Sequence, residues 1–121
     1  MKTDQHIERA KRAYKSFKLL KEKDLLEDAV SRGYYAIVHI GFSILRKADK
    51  PLPKTHGGLV AKLWEYKSEL KLPDEIISSV SRFEALREKS DYAPLPIINK
   101  EDIDEMDKII KKFFRLVGEK I

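Results

Sequence analysis

A weakly charged run at residues 29–45, AVSRGYYAIVHIGFSIL, constrains the fold more than any other part of the sequence. Its one charged residue is Arg32, although Asp, Glu, Lys and Arg make up 37% of the chain. As an α-helix the run would be about 25 Å long, which is short for a membrane span, and Arg32 and His39 interrupt it. We therefore predict a helix that other helices bury on nearly all sides.

A helical wheel at about 100° per residue divides this predicted helix into two faces. The apolar face collects the residues expected to pack against the chain's own core: Leu26, Ala29, Val30, Gly33, Ile37, Ile40, Gly41, Ile44 and Ala48. The other face carries side chains that can hydrogen-bond, stack or bear charge: Asp28, Arg32, Tyr35, His39, Phe42 and Arg46. We name this second set the polar stripe, and we expect it to meet a partner, a nucleotide or a second copy of the chain.

Helical periodicity in the rest of the sequence predicts an all-α fold. Apolar residues recur three and four positions apart in segments at residues 4–23, 25–48, 56–70, 74–92 and 101–119. The connections are short and several contain proline, so neighbouring helices should run antiparallel. We predict an up-and-down bundle of about five helices, a four-helix core plus one, in a single domain that covers residues 1–121.

Several local details of this bundle can be checked. Thr3, Asp24 and Thr55 are predicted to cap the first three helices through their side-chain oxygens. Asp24 is followed three residues later by Glu27, which is the spacing of a capping box. Trp64 is predicted to belong to the apolar set of the third helix, together with Leu59, Val60, Leu63 and Leu70.

Composition limits the kinds of site that the chain can form. The chain has no cysteine, which excludes disulfides and thiolate metal sites. His6, His39 and His56 lie in different predicted elements without the spacing of metal ligands, so no metal or other cofactor is expected. The polar N-terminal sequence has no secretory signal pattern, so we expect a cytoplasmic protein without a membrane association.

The net charge of +5 is unevenly distributed. Residues 9–23 contain seven Lys or Arg side chains and one acid, Glu22. Such a run is either a solvated helix face or a patch that attracts phosphate groups. Composition leaves both interpretations open.

The polar stripe contains the first group of residues that could carry chemistry. Arg32 could hold a phosphate, Tyr35 could stack on a base, and His39 could move a proton at a phosphodiester. The alternative is structural, with an ion pair between Asp28 and Arg32 and with His39 as an interface residue.

Two further groups lie outside the stripe. Arg87 falls on the core-facing side of the fourth predicted helix, four residues before Asp91, which indicates either a structural ion pair or an arginine aimed into a cleft. Tyr92 follows directly. The sequence Lys54-Thr55-His56-Gly57-Gly58 precedes the third helix, where free backbone N–H groups could bind an anion, although capping by Thr55 alone would also explain it.

Three motifs together resemble the HEPN family (higher eukaryotes and prokaryotes nucleotide-binding), in its small stand-alone prokaryotic branch. The run SRGYYAIVH at residues 31–39 is similar to the family signature SRxYYAxxH. The run KTHGG at residues 54–58 is similar to KTHxG, and Arg87, Asp91 and Tyr92 match RxxxDY. Order and spacing agree over nearly the whole chain.

The resemblance implies a helical bundle that forms a homodimer and acts with a minimal nucleotidyltransferase, commonly as a toxin–antitoxin module. Many HEPN proteins are metal-independent ribonucleases that use Arg, four to six residues, then His on a late helix. Here the positions after Arg87 where that His is expected hold Tyr92, Ala93 and Pro94. The literal spacing occurs instead at Arg32 and His39, on the second predicted helix.

Three functions follow from these residues. The leading hypothesis is a dimeric nucleotide- or RNA-phosphate-binding module that acts with a minimal nucleotidyltransferase. Its polar cleft would be lined by Arg32, Tyr35, His39, Arg87, Asp91 and Tyr92. The second is a metal-independent RNA endonuclease toxin, in which His39 or Tyr92 assists attack by the 2′-OH and an arginine, Arg32 or Arg87, stabilises the developing charge. The third is a structural helical dimer without a ligand, whose polar stripe is the dimer contact.

Overall fold

The computed structural model describes residues 4–93 and 98–121, and within them the chain is helical without any strand. The all-α prediction is therefore confirmed. The helices, in chain order, are α1 (Gln5–Glu22), α2 (Leu26–Lys47), α3 (His56–Glu65), α4 (Lys67–Leu70), α5 (Asp74–Tyr92) and α6 (Lys100–Leu116). None of these helices is long and apolar enough to cross a membrane.

The weakly charged run forms the centre of the bundle, as predicted. Helix α2 packs most extensively on α1, and it also contacts α5, α6 and α3. Its apolar face is buried apart from Leu26 and Ala48, which are half-buried. Gly33 and Gly41 allow neighbouring helices to approach closely, because an added Cβ at Gly33 would overlap the Met106 sulfur and one at Gly41 would lie 2.9 Å from a Leu59 methyl carbon.

Helices α1 and α2 form an antiparallel pair joined by a tight turn at residues 23–25. Asp24 has φ 58°, in the left-handed region, so the chain reverses there. The prediction that Asp24 caps α2 is wrong, because the N-cap is Leu25 and no side chain caps this helix. The Asp24 carboxylate instead pairs with Lys100 Nζ at 3.2 Å, which ties the turn to α6.

The caps of α1 and α3 show how the sequence begins these helices. Thr3, the predicted cap of α1, lies outside the described residues. Asp4 makes the cap interaction, since its Oδ1 accepts hydrogen bonds from the backbone N–H groups of His6 and Ile7 at 3.0 and 3.2 Å. Thr55 caps α3 as predicted, because its Oγ1 accepts a hydrogen bond from Gly58 N at 3.0 Å.

The third predicted helix is shorter than expected. Helix α3 ends at Glu65, Tyr66 separates it from the single turn of α4, and Lys71 closes α4 with φ 54°. Trp64, a member of the predicted apolar set, is 43% exposed and is not part of the buried core. Leu59 and Leu63 occupy the buried side of α3, and Trp64, one residue further, is rotated by about 100° toward solvent.

Candidate functional site

One half of the polar stripe is covered by helix α1 of the same chain. His39 is only 8% exposed. Its Nδ1 lies 2.9 Å from Nδ1 of His6, and the two rings stack with centroids 5.1 Å apart. The Phe42 ring contacts both imidazoles edge-on, at 5.3 Å from His6 and 5.8 Å from His39. This half therefore packs within the chain rather than facing outward as expected.

The His6–His39 contact imposes a protonation state. One Nδ1 must donate and the other must accept, so the two rings cannot both be fully protonated while the contact exists. Burial is the main cause that holds the pKa of His6 below its ordinary value. The Asp4 carboxylate opposes that shift, and the charges of Arg46 and Arg9 add to it. His6 is therefore neutral near pH 7.

A buried hydrogen bond fixes the beginning of α1 on α2 beside this pair. Ser43 Oγ donates to Asp4 Oδ2 at 2.6 Å, and the same carboxylate caps α1. Burial by itself would raise the pKa of Asp4, but the hydrogen bonds from Ser43 and from two backbone N–H groups lower it overall. A capping carboxylate and a histidine contact thus position α1 over the stripe.

The other half of the stripe lines an open groove. The Arg32 guanidinium lies over the Tyr35 ring with Cζ 5.1 Å from its centroid, and the Tyr35 ring is tilted against His39 at 4.4 Å. Arg9 Nη1 donates to Tyr35 Oη at 3.2 Å across the groove. The alternative ion pair between Asp28 and Arg32 is not formed among the described residues.

A second cluster surrounds Arg87 on α5. Arg87 Nη1 donates to Asp91 Oδ2 at 3.0 Å, so the predicted ion pair forms. Asp91 Oδ1 accepts from Ser31 Oγ on α2 at 3.2 Å, and the Arg87 guanidinium lies over the Tyr34 ring at 5.4 Å. Arg87 Nε is buried and makes no hydrogen bond with any residue that the structure describes.

The two clusters flank one turn of α2. Ser31 contacts the Arg87 cluster, and Arg32, the next residue, lines the groove on the α1 side. Successive helical residues are about 100° apart, so the clusters occupy adjacent faces at the same level. Tyr92 follows Asp91 at the end of α5, and its ring is 77% exposed.

The KTHGG run at residues 54–58 is not joined to these two clusters by hydrogen bonds or ion pairs in the part of the chain that the structure describes. Lys54 and Thr55 are exposed, and within the described residues no hydrogen bond or ion pair joins either of them to α2 or α5. The His56 side chain lies outside what the structure describes. Gly58 is explained by the capping turn, because a Cβ there would lie 2.9 Å from Pro53 Cβ and 3.1 Å from Thr55 Oγ1.

Metal chemistry finds no support in the arrangement of these side chains. Among residues 4–93 and 98–121, no group of three or more His, Cys, Asp or Glu side chains could hold a metal ion. His6 and His39 engage each other through Nδ1 instead of converging on a third ligand.

Sequence reasoning missed the contributions of α1 to this region. Arg9 and Arg12 were considered only as part of the basic run at residues 9–23, and His6 and Ser31 were not candidate ligand-binding residues, yet each contacts or lines one of the clusters. The signal that could have found the α1 residues is the short turn at residues 23–25. In an antiparallel pair joined by a tight turn, the beginning of the first helix packs against the end of the second, as His6 packs against His39.

Comparison with known proteins agrees with this helical arrangement. The family profile described as HEPN domain matches residues 3–121. A protein named UPF0332 protein, from Archaeoglobus fulgidus, is 34% identical over 95 residues, which cover 78% of this chain and 75% of that relative. The family match, over residues 3–121, includes the run at residues 31–39 and the cluster around Arg87. The chain belongs to the HEPN domain family.

Proposed function

We propose that this chain is a dimeric HEPN module that binds phosphate groups of a nucleotide or RNA and acts with a minimal nucleotidyltransferase in a toxin–antitoxin pair. The observation that carries the proposal is the position of Arg32. Its exposed guanidinium lies over Tyr35 at the edge of an open groove, and it has no carboxylate partner among the described residues. The match from residue 3 to residue 121 supports one module that spans residues 1–121.

Arg32 has the chemistry that phosphate recognition requires. A guanidinium presents several planar N–H donors that match phosphate oxygens, and it stays charged at any physiological pH. The side chain beneath it is held in place, since Tyr35 contacts His39 and accepts a hydrogen bond from Arg9. A fixed platform lowers the ordering cost that binding a ligand would otherwise incur.

Arg87 supports the same function from the adjacent face. Asp91 and the Tyr34 ring fix its guanidinium, while its Nε keeps a donor without a protein acceptor in the described residues. Because Nε itself is buried, a ligand would meet the accessible part of the guanidinium, whose side chain is 29% exposed. Asp91 acts here as a positioning residue, and Tyr92 beside it offers an exposed ring.

Binding is favoured over RNA cleavage by the environment of His39. A general base must reach the proton that it removes, yet His39 is 8% exposed and its Nδ1 is engaged by His6. Dimerisation and the nucleotidyltransferase partner are proposed from membership of the HEPN family.

Calorimetry with a mononucleotide and with a short RNA tests the binding function. We expect Arg32→Gln and Arg87→Gln each to weaken binding about tenfold, which corresponds to the loss of one charge-assisted hydrogen bond. Arg115→Gln is the matched control, since Arg115 is exposed on α6 and lines neither the α1–α2 groove nor the described contacts of Arg87. Absence of binding heat with both ligands at about millimolar concentration would contradict the proposal.

Separate measurements test the remaining parts. Incubation of the protein with labelled RNA in the absence of metal should give no cleavage. If RNA is cleaved, and the cleavage disappears in His39→Ala and Arg87→Ala, the protein is the ribonuclease of the alternative hypothesis. Light scattering should give the mass of a dimer. A nucleotidyltransferase gene beside this one, and co-purification of the two products, would support the partner.

A further inference from the structure

The groove between α1 and α2 concentrates positive charge without acids to balance it. Its lining consists of Arg9, Arg12, Ala13, Ser16, Arg32 and Tyr35, and its volume is about 360 Å³. Throughout the described part of the chain, none of its three arginines forms an ion pair. All three are exposed, and only Arg9 has a side-chain hydrogen bond, to Tyr35 Oη. The guanidinium charges repel one another until an anion enters.

Other grooves on this surface have a different character. The groove beside Lys21 and Lys100 also contains Asp24 and Asp104, so its charges are mixed. A neighbouring groove is acidic because Asp24, Glu27 and Asp28 line it. Another, between α5 and α6, contains Glu75 and Glu105, and the one near Leu70 is mainly apolar. An anion would therefore be attracted to the α1–α2 groove rather than to these.

The groove is elongated along α1. Arg9, Arg12 and Ser16 lie at i, i+3 and i+7, so their side chains follow one face of the helix. The helical rise places Arg9 and Ser16 about 10 Å apart along the axis. A single compact phosphate would reach only part of this line, whereas successive phosphates of a strand could occupy it. Arg32 and Tyr35 on the opposite wall form a stacked pair on which an unpaired base could stack.

We infer that α1 supplies half of the ligand site, and that the ligand is a single-stranded RNA whose phosphate groups lie along Arg9, Arg12 and Arg32. This inference rests on the proposed function and specifies its ligand. The Ser16 hydroxyl donates to the same backbone at the far end of the groove. The Tyr35 hydroxyl is held by Arg9, so Arg12 and Arg32 are the arginines whose donors face the ligand without another hydrogen bond.

Anisotropy titrations of the full chain test the contribution of α1. The probe is a fluorescein-labelled single-stranded RNA of about ten nucleotides. We expect Arg12→Gln to weaken binding about tenfold and to reduce the slope of log affinity against log salt by about 0.7. The control Arg115→Gln removes the same charge from exposed α6 and should change affinity by less than about twofold.

The possible results distinguish failure of the α1 proposal from failure of the binding function on which that proposal rests. Equal losses of RNA affinity in Arg12→Gln and Arg115→Gln would overturn the proposal that α1 lines the ligand site. So would a loss of affinity in Arg32→Gln without one in Arg12→Gln. In either case the proposed RNA binding itself would still stand. Displacement of the RNA by AMP or pyrophosphate at equal phosphate concentration would overturn the assignment to a strand. Loss of the dimer in Arg12→Gln would make the groove a subunit contact. Absence of binding by the unmodified chain would overturn both proposals.

Discussion

At the scale of single residues, the contact between His6 and His39 determines how much of α2 is accessible. The imidazoles meet through Nδ1 at 2.9 Å, and this contact closes the end of the stripe that was expected to be open. The ion pair between Arg87 and Asp91 could be predicted because both residues lie on one helix, four positions apart. The histidine contact depends on how α1 is aligned with α2, which no local pattern in the sequence contains.

Replacing His6 should change how stability depends on pH. The pKa of His6 is lowered from 6.5 in the folded chain, so the unfolded chain binds its proton first as pH falls. Stability supplied by neutral His6 is therefore present above about pH 6.5 and is lost as pH decreases below it. We expect His6→Asn to flatten this dependence, and to cost about 1 kcal/mol at pH 7 through the lost hydrogen bond. Urea denaturation between about pH 5 and pH 7.5 measures both effects.

Gln5→Ala is the matched control for this prediction. Gln5 is exposed in the same turn of α1 and does not titrate, so its replacement should leave the dependence on pH unchanged. A His6→Asn variant that loses stability below pH 6.5 as steeply as the unmodified chain would show that the His6–His39 contact does not control the acid response.

At the scale of helices, most elements could be predicted because their apolar periodicity is strong. Helix α5 begins and ends where the sequence predicts, and α2 differs at its ends by one residue. The errors concern features that depend on neighbouring elements. Asp24 adopts a left-handed turn rather than a cap, and Trp64 lies on a partly exposed side of α3. Helical spacing cannot indicate which side of a short helix its neighbours will leave open.

The close approach of helices at Gly33 gives a prediction at this scale. A methyl group there would overlap the Met106 sulfur and lie 3.1 Å from a Phe17 ring carbon. Overpacking costs about 1–3 kcal/mol, whereas alanine improves helix propensity by about 1 kcal/mol. We therefore expect Gly33→Ala to lower the free energy of unfolding by up to about 2 kcal/mol, as measured by urea denaturation.

As a control, Gly57→Ala should change the free energy of unfolding in the opposite direction. Gly57 lies in the first turn of α3, and nothing is within 4 Å of an added Cβ. The propensity gain should then dominate, and stability should rise by up to about 1 kcal/mol. Equal changes in the two variants would mean that packing at Gly33 does not limit the distance between α2 and α6.

At the scale of the whole molecule, the bundle could be predicted from short connections, but the polar contacts between distant helices could not. Tyr14 Oη donates to Asp107 Oδ1 at 2.5 Å, which joins α1 to α6. Lys21 Nζ bridges Asp107 at 3.2 Å and Asp104 at 2.9 Å. Burial and the Asp107 contact raise the pKa of Tyr14 well above its ordinary value, so the hydroxyl stays protonated and keeps donating.

Removing the Asp107 carboxylate should therefore destabilise the bundle. Tyr14 is 3% exposed, and Asp107→Ala would leave its hydroxyl buried without this acceptor. We expect a loss of about 1–3 kcal/mol in the free energy of unfolding. Asp104→Ala removes only the exposed partner of Lys21 and should lower the free energy of unfolding less than Asp107→Ala does. Chemical denaturation that ranks Asp104→Ala as the more damaging change would contradict this account.

The tight turn at residues 23–25 affects the order in which the helices can pack together while the protein is being synthesised. Both walls of the arginine groove come from α1 and α2, which are neighbours along the chain, so they can assemble with little loop-closure entropy. The apolar side of α2 must wait for α5 and α6 to leave the ribosome. A nascent chain could thus form both walls of its basic cleft while the hydrophobic side of α2 is still exposed to solvent, and chaperone binding would protect that side until α5 and α6 are made.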